Sequence, residues 1–138
     1  MVDADRLVEL LERVTARLRV LDAYAEQPAG ALVIDEVRMG HLKYTLQTML
    51  EACIDAAHHV VASEGLGVPA TNADAFRRLG AADLLDDTTA DGMAAAAGLR
   101  NVLVHGYAAV DDARVVQHLN ELPTIRSFVR AMTTLIGG

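Results

Sequence analysis

Arg100, His105 and Tyr107 close an alanine-rich run in the order Arg-x4-His-x-Tyr, within Arg100-Asn101-Val102-Leu103-Val104-His105-Gly106-Tyr107. A guanidinium can hold a phosphate through two parallel hydrogen bonds and stays cationic throughout. An imidazole titrates near neutrality, so it serves proton transfer in either direction. Metal-independent cleavage of RNA asks for such groups: the 2′-hydroxyl loses a proton, the 5′-oxygen gains one, and charge on the phosphorane is offset. Asn101 adds a neutral donor to the phosphate, or orients a neighbouring side chain. The spacing also sets a geometric problem. Five residues along a continuous helix amount to about 140° of rotation, so Arg100 and His105 cannot share a face. Either the helix stops near His105, as Gly106 permits, or the two residues work with different partners. A histidine at a helix C-terminus favours its imidazolium form, which biases His105 toward donating a proton to the leaving oxygen. The plain alternative makes Arg100 a surface salt-bridge residue, His105 a satisfied helix-end histidine and Tyr107 a tyrosine with one hydrogen bond.

Helices must position these groups. Leu7, Leu11, Val14, Leu18 and Leu21 form a single apolar stripe, predicting a first helix from about Asp3 to Glu26 with Asp3 as its N-cap. Pro28-Ala29-Gly30 interrupts it, and a broken helix fits the stretch between Glu26 and Asp35. Leu42, Leu46, Met49, Cys53, Ala57 and Val60 place a second long helix over Asp35 to Ser63, stopped by Gly65-Leu66-Gly67 and Pro69. Thr71 with Asp74 reads as a variant capping box for a short helix closed by Gly80; Thr88 with Asp91 reads as another before Met93 to Val104. A short helix follows Asp111-Asp112, and Pro123 opens a last one to about Ile136, with Ile125, Phe128, Val129, Met132 and Ile136 on its apolar face. Ala94-Ala95-Ala96-Ala97-Gly98 lets backbones approach closely, either inside the bundle or against a second subunit.

The 138 residues fit a single domain spanning 1–138, and no alternating strand pattern is present. Hydrophobic residues make up 52% but aromatics only 4%, which suits tightly packed helices: an all-α bundle with two long helices and several shorter ones. No apolar run approaches the roughly 20 residues of a membrane span, and the acidic start Met1-Val2-Asp3 lacks signal-peptide character, so a cytoplasmic protein is expected. Cys53 stands alone, which excludes an internal disulfide. The net charge of −7 argues against a broad nucleic-acid binder and leaves room only for a small local phosphate site.

Other candidates are weaker. Asp55-Ala56-Ala57-His58 has the acid-x-x-His spacing of di-iron bundles, but no second pair exists to face it, so no metal is expected. Asp55 and His59 are spaced for a helix-surface pair, with Asp55 or His58 also candidates to line the site. Arg77-Arg78 could hold RNA or form a solvated face, and Cys53 falls on the core stripe. His41 and His118 carry no supporting pattern.

The text Leu50-Glu51-Ala52-Cys53-Ile54-Asp55-Ala56-Ala57, then Gly65-Leu66-Gly67-Val68-Pro69, then Phe76 to Leu85 and the Leu99–His105 core resembles the HepT (DUF86) branch of the HEPN nucleases. The resemblance covers about Arg38 to Leu122. It implies a HEPN-type bundle forming a homodimer, in which Arg100 and His105 of both subunits meet in a composite cleft with Asn101 in support. The implied activity is a cofactor-free, metal-independent endoribonuclease acting on RNA rather than DNA, the toxin of a type VII-like toxin–antitoxin pair. The resemblance also implies that Tyr107 is the acceptor of AMP from an MNT-type minimal nucleotidyltransferase antitoxin. A nucleotide two residues from His105 adds bulk and negative charge where an RNA phosphate must sit. The rival readings are a non-catalytic HEPN nucleotide-binding module and a structural subunit that docks the nucleotidyltransferase.

Overall fold

A computed structural model describes residues 3–106 and 110–137. Among these residues there are helices and no strands. Helix α1 (Ala4–Ala25) starts where Asp3 accepts a hydrogen bond from the Arg6 backbone N–H at 3.2 Å. Helix α3 (Glu36–Ser63) starts the same way, with Asp35 accepting from Arg38 N–H at 3.0 Å. Between them α2 (Ala29–Val33) is the expected broken piece, anchored by the fully buried Leu32. The two long helices pack along each other through the predicted stripes: Leu7, Leu11, Val14, Leu18 and Leu21 against Leu42, Leu46, Met49, Cys53 and Val60, all buried. Burial also pushes the Cys53 thiol far above its ordinary range, leaving it an inert core group. At the end of α3, Gly65 takes a left-handed φ of +66° and Leu66 N–H reaches back to the Val61 carbonyl at 2.9 Å.

Helix α4 (Asn72–Ala81) begins at Thr71, whose hydroxyl accepts from Asp74 N–H at 3.0 Å. The Asp74 carboxylate bonds Ala70 N–H at 2.9 Å rather than Thr71, completing a capping box displaced by one residue. That bond, and next the Arg78 side chain, holds the Asp74 carboxyl below its usual range. Gly80 does not close this helix; it lies inside it, where an added Cβ would come 2.8 Å from the Ala90 Cβ. Its smallness is a packing requirement between α4 and the next helix. The left-handed residue after the helix is instead Asp83, with φ 61°.

Helix α5 (Asp87–His105) begins two residues earlier than a Thr88 cap would set it, because Asp86 is the stronger cap and accepts from Thr89 N–H at 2.7 Å. Helix α6 (Asp112–Gln117) is capped by Asp111, runs through a 3-10 turn (His118–Glu121) and continues into α7 (Leu122–Thr134) with Pro123 in its first turn. Phe128 of α7 meets Phe76 of α4 edge to face, ring centres 5.4 Å apart, inside the core. An Arg126–Asp22 ion pair ties α7 to α1, and Lys43–Asp112 ties α3 to α6. No helix among the described residues is long and apolar enough to cross a membrane.

Candidate active site

The helix carrying the Arg-x4-His pair does not break before His105. Both residues belong to α5, which ends at His105 itself. Gly106 stops it in a right-handed conformation, its N–H on the Val102 carbonyl at 2.6 Å. A Cβ at position 106 would collide with that carbonyl oxygen, so close approach, not a left-handed φ, selects glycine here. About 140° of rotation and about 7.5 Å of rise therefore separate the two side chains along one helix. His105 is exposed on the last turn, at the negative end of the helix dipole. Arg100 turns toward α3. One chain does not bring the two together.

What Arg100 meets instead is a polar cavity of about 210 Å³, lined by Glu51, Ile54, Asp55 and His58 from α3, Asn72 from α4 and Arg100 itself. Glu51, Asp55 and His58 follow at i, i+4 and i+7, so one face of α3 presents all three. The Arg100 side chain is 27% exposed, and its Nε lies 3.7 Å from Glu51 Oε1, too far for a hydrogen bond. That Nε is buried without a hydrogen-bond partner. One terminal nitrogen donates to Asn101 Oδ1 at 3.3 Å. Most of the five guanidinium donors are thus uncommitted in a partly shielded setting, which suits an anionic ligand. Glu51 is steadied by Gln47 Nε2 at 3.0 Å. His58 Nε2 donates to Asn72 Oδ1 at 2.9 Å.

Asn101 sits beside Arg100 as expected and remains exposed, its carbonyl oxygen occupied by the guanidinium. Tyr107 lies outside the described residues. Asp55 and His59 do not form the helix-surface pair their spacing suggests: Asp55 is exposed along the cavity, and His59 Nε2 is buried without a hydrogen-bond partner. Arg78 is committed within the chain, to Asp74 at 2.9 Å and the Leu66 carbonyl at 3.0 Å, whereas Arg77 is exposed. His41 gains a partner that no pattern announced, the Tyr24 hydroxyl at 2.7 Å. Among the described residues, no three His, Cys, Asp or Glu side chains gather as metal ligands. Glu51 and Asn72 are the polar cavity residues missed by reading the sequence; the i, i+4, i+7 face of α3 was the available signal for Glu51, and Asn72 had none.

The outer face of α5 completes the picture. Ala94 and Ala97 are buried in the bundle, while Ala95 and Gly98 are exposed, and nothing lies within 4 Å of a Cβ built on Gly98. Val102, 48% exposed, and His105 continue that open face.

A family model described as "Ribonuclease HepT-like" matches residues 6–132. The mRNA nuclease HepT of Shewanella oneidensis is 37% identical over 76 residues, covering 53% of this chain and 57% of that protein. The tRNA nuclease HepT of Aphanizomenon flos-aquae is 37% identical over 70 residues, covering 51% of this chain and 48% of that protein. The chain thus spans about half the length of the curated relatives it matches. A tri-AMPylated Shewanella oneidensis HEPN toxin, solved in complex with an MNT antitoxin, superposes with a TM-score of 0.85 at 23% identity, covering 97% of this chain and 99% of that one. That likeness identifies the fold.

Proposed function

The chain belongs to the ribonuclease HepT-like family, and we propose that it is a single-domain, metal-independent endoribonuclease, the toxin of a toxin–antitoxin pair, working as a cytoplasmic homodimer. The observation that carries this reading is the division of α5: Arg100 faces a polar cavity with uncommitted donors, while His105 stands exposed at the helix end. A second copy is proposed to supply what one chain separates, and the small Ala95–Gly98–Val102 face, which continues to His105, is open to close helix approach. Arg100 then clamps the scissile phosphate, the Asn101 amide nitrogen is free to donate, and His105 protonates the leaving 5′-oxygen. Products carry a 2′,3′-cyclic phosphate and a 5′-hydroxyl. No cofactor is required.

Neutralisation is proposed to run through Tyr107. Its phenolic oxygen, losing its proton to water, attacks the α-phosphorus of ATP bound to an MNT-type nucleotidyltransferase, pyrophosphate leaves, and an AMP ester remains two residues along the chain from His105. The state of the Shewanella relative, AMPylated and in complex with its antitoxin, supports this. The added charge repels an RNA phosphate. A second reading, a non-catalytic subunit that docks the nucleotidyltransferase, is favoured by one observation: Arg100 already faces a carboxylate, Glu51, as a structural ion pair does.

The test compares wild type, Arg100→Ala and His105→Ala on labelled RNA in EDTA, with product ends identified. Cleavage by wild type alone, leaving cyclic phosphate, supports the nuclease. No cleavage by wild-type dimer whose Tyr107 is unmodified by mass spectrometry moves the assignment to the docking subunit.

A further inference from the structure

Cleavage through a 2′-hydroxyl needs a group that takes a proton as well as one that gives it. With His105 as the acid, the base is unassigned. We propose that His58 is that general base, acting in the cavity that Arg100 lines; this rests on the nuclease reading of the same site.

Three observations carry it. His58 and Arg100 line one cavity, whereas His105 is not among its lining residues. A phosphate held by Arg100 therefore has His58 as its imidazole neighbour within the same chain. Next, the tautomer is set. The Asn72 amide oxygen only accepts, so the 2.9 Å contact places the proton of a neutral ring on Nε2 and leaves Nδ1 as the basic nitrogen. Asn72 is itself fixed, being the first residue of α4 directly after the Thr71 cap. A base oriented by a third group is the arrangement that activates an oxygen nucleophile. Last, charges of both signs face the ring. Glu51 and Asp55 from α3 and Arg100 from α5 line the cavity, and α4 contributes the neutral Asn72. The two carboxylates offset the imidazolium formed when the proton is taken, and the guanidinium offsets charge on the phosphorane.

The step balances without a further reactant. Nδ1 of His58 accepts the 2′-hydroxyl proton, and the 2′-oxygen forms a bond to phosphorus. The P–O5′ bond breaks, and the 5′-oxygen leaves with the proton of His105. His58 then releases its proton to water, and His105 regains one.

Two substrates separate base from acid: a labelled oligoribonucleotide and uridine 3′-(4-nitrophenyl phosphate), whose nitrophenolate leaves without a proton. His58→Gln keeps an amide donor for Asn72 but has no basic nitrogen. It should lower kcat about 100-fold or more on both substrates with KM little changed. His105→Ala should be as damaging on RNA but approach wild type on the nitrophenyl ester. Asn72→Ala, which frees the ring while keeping it, should lower kcat about tenfold, the size of a lost orienting partner. Unchanged circular dichroism and melting temperature exclude misfolding as the cause. Wild-type turnover by His58→Gln on both substrates would overturn the proposal and leave the nuclease reading intact. So would loss of ester cleavage in His105→Ala but not in His58→Gln, which moves the base to His105 of the second copy. If wild type cleaves neither substrate, the nuclease reading fails and this inference falls with it.

Discussion

Replacing Arg100 separates what that residue does for the fold from what it does for a bound phosphate. Its structural attachments are slight: a 3.7 Å approach to Glu51 and a 3.3 Å bond to Asn101, on a side chain 27% exposed. A partly exposed ion pair of this kind contributes about 0–1 kcal/mol. Arg100→Ala should therefore shift the melting temperature of a chain this size by no more than about 4 °C. Against a phosphate the loss is larger. Two charge-assisted hydrogen bonds contribute about 1.5–3 kcal/mol each. Relief of the competing Glu51 contact returns up to about 1 kcal/mol. A net loss of about 2–6 kcal/mol corresponds to a fall in kcat/KM of roughly 30- to 25,000-fold. Arg100→Lys keeps the charge but not the planar fork, and should recover only part of that loss. The assay is initial-rate cleavage of labelled RNA in EDTA alongside a thermal melt of each variant. Arg100→Ala retaining kcat/KM within threefold of wild type would refute the phosphate role. A melting temperature lowered by 10 °C or more would refute the accounting of its structural attachments.

Gly80→Ala should destabilise the protein by about 1–3 kcal/mol, seen as a lower melting temperature, because its Cβ would lie 2.8 Å from that of Ala90 on a facing helix. Gly98→Ala should do the opposite in a dilute monomer, adding about 0.5–1 kcal/mol, since the position is helical with open space around it. The same substitution should weaken self-association by analytical ultracentrifugation if copies meet on that face. The Asp86 carboxyl is held below its usual range by the Thr89 backbone N–H and then the Thr89 side chain. A depressed carboxyl stabilises the fold above its unfolded value near 3.9, and the contribution disappears as pH falls through the folded value. Asp86→Ala should thus melt below wild type at pH 6, with the gap closing as pH falls below about 4.

Where a helix boundary rests on one local hydrogen bond, the sequence reads cleanly: Asp3, Asp35, Thr71 and Asp111 all cap as their positions suggest. The start of α5 was misread because two candidate caps lie two residues apart, and Asp86 outcompetes Thr88. Gly80 resembles a stop signal on paper, yet the cause of its smallness is Ala90 on another helix, which no local pattern reveals. The candidate site divides in the same way. Arg100, Asn101 and His105 were visible as types in a spacing, and the α3 face bearing Glu51, Asp55 and His58 was visible as periodicity. That α5 turns Arg100 onto this face, with Asn72 closing the other side, is set by the packing of three helices. Asp55 and His59 show the converse: suitable spacing does not make a pair when one partner faces solvent and the ring nitrogen of the other is buried.

The opposed directions of Arg100 and His105 on one helix have a kinetic consequence. If cleavage draws on these groups from two copies, a lone chain is silent, and at concentrations below the dissociation constant of the pair, activity rises with the square of the amount of protein. Halving expression then quarters the activity. A few stray molecules do almost nothing, whereas a burst of synthesis raises the output as the square of the supply.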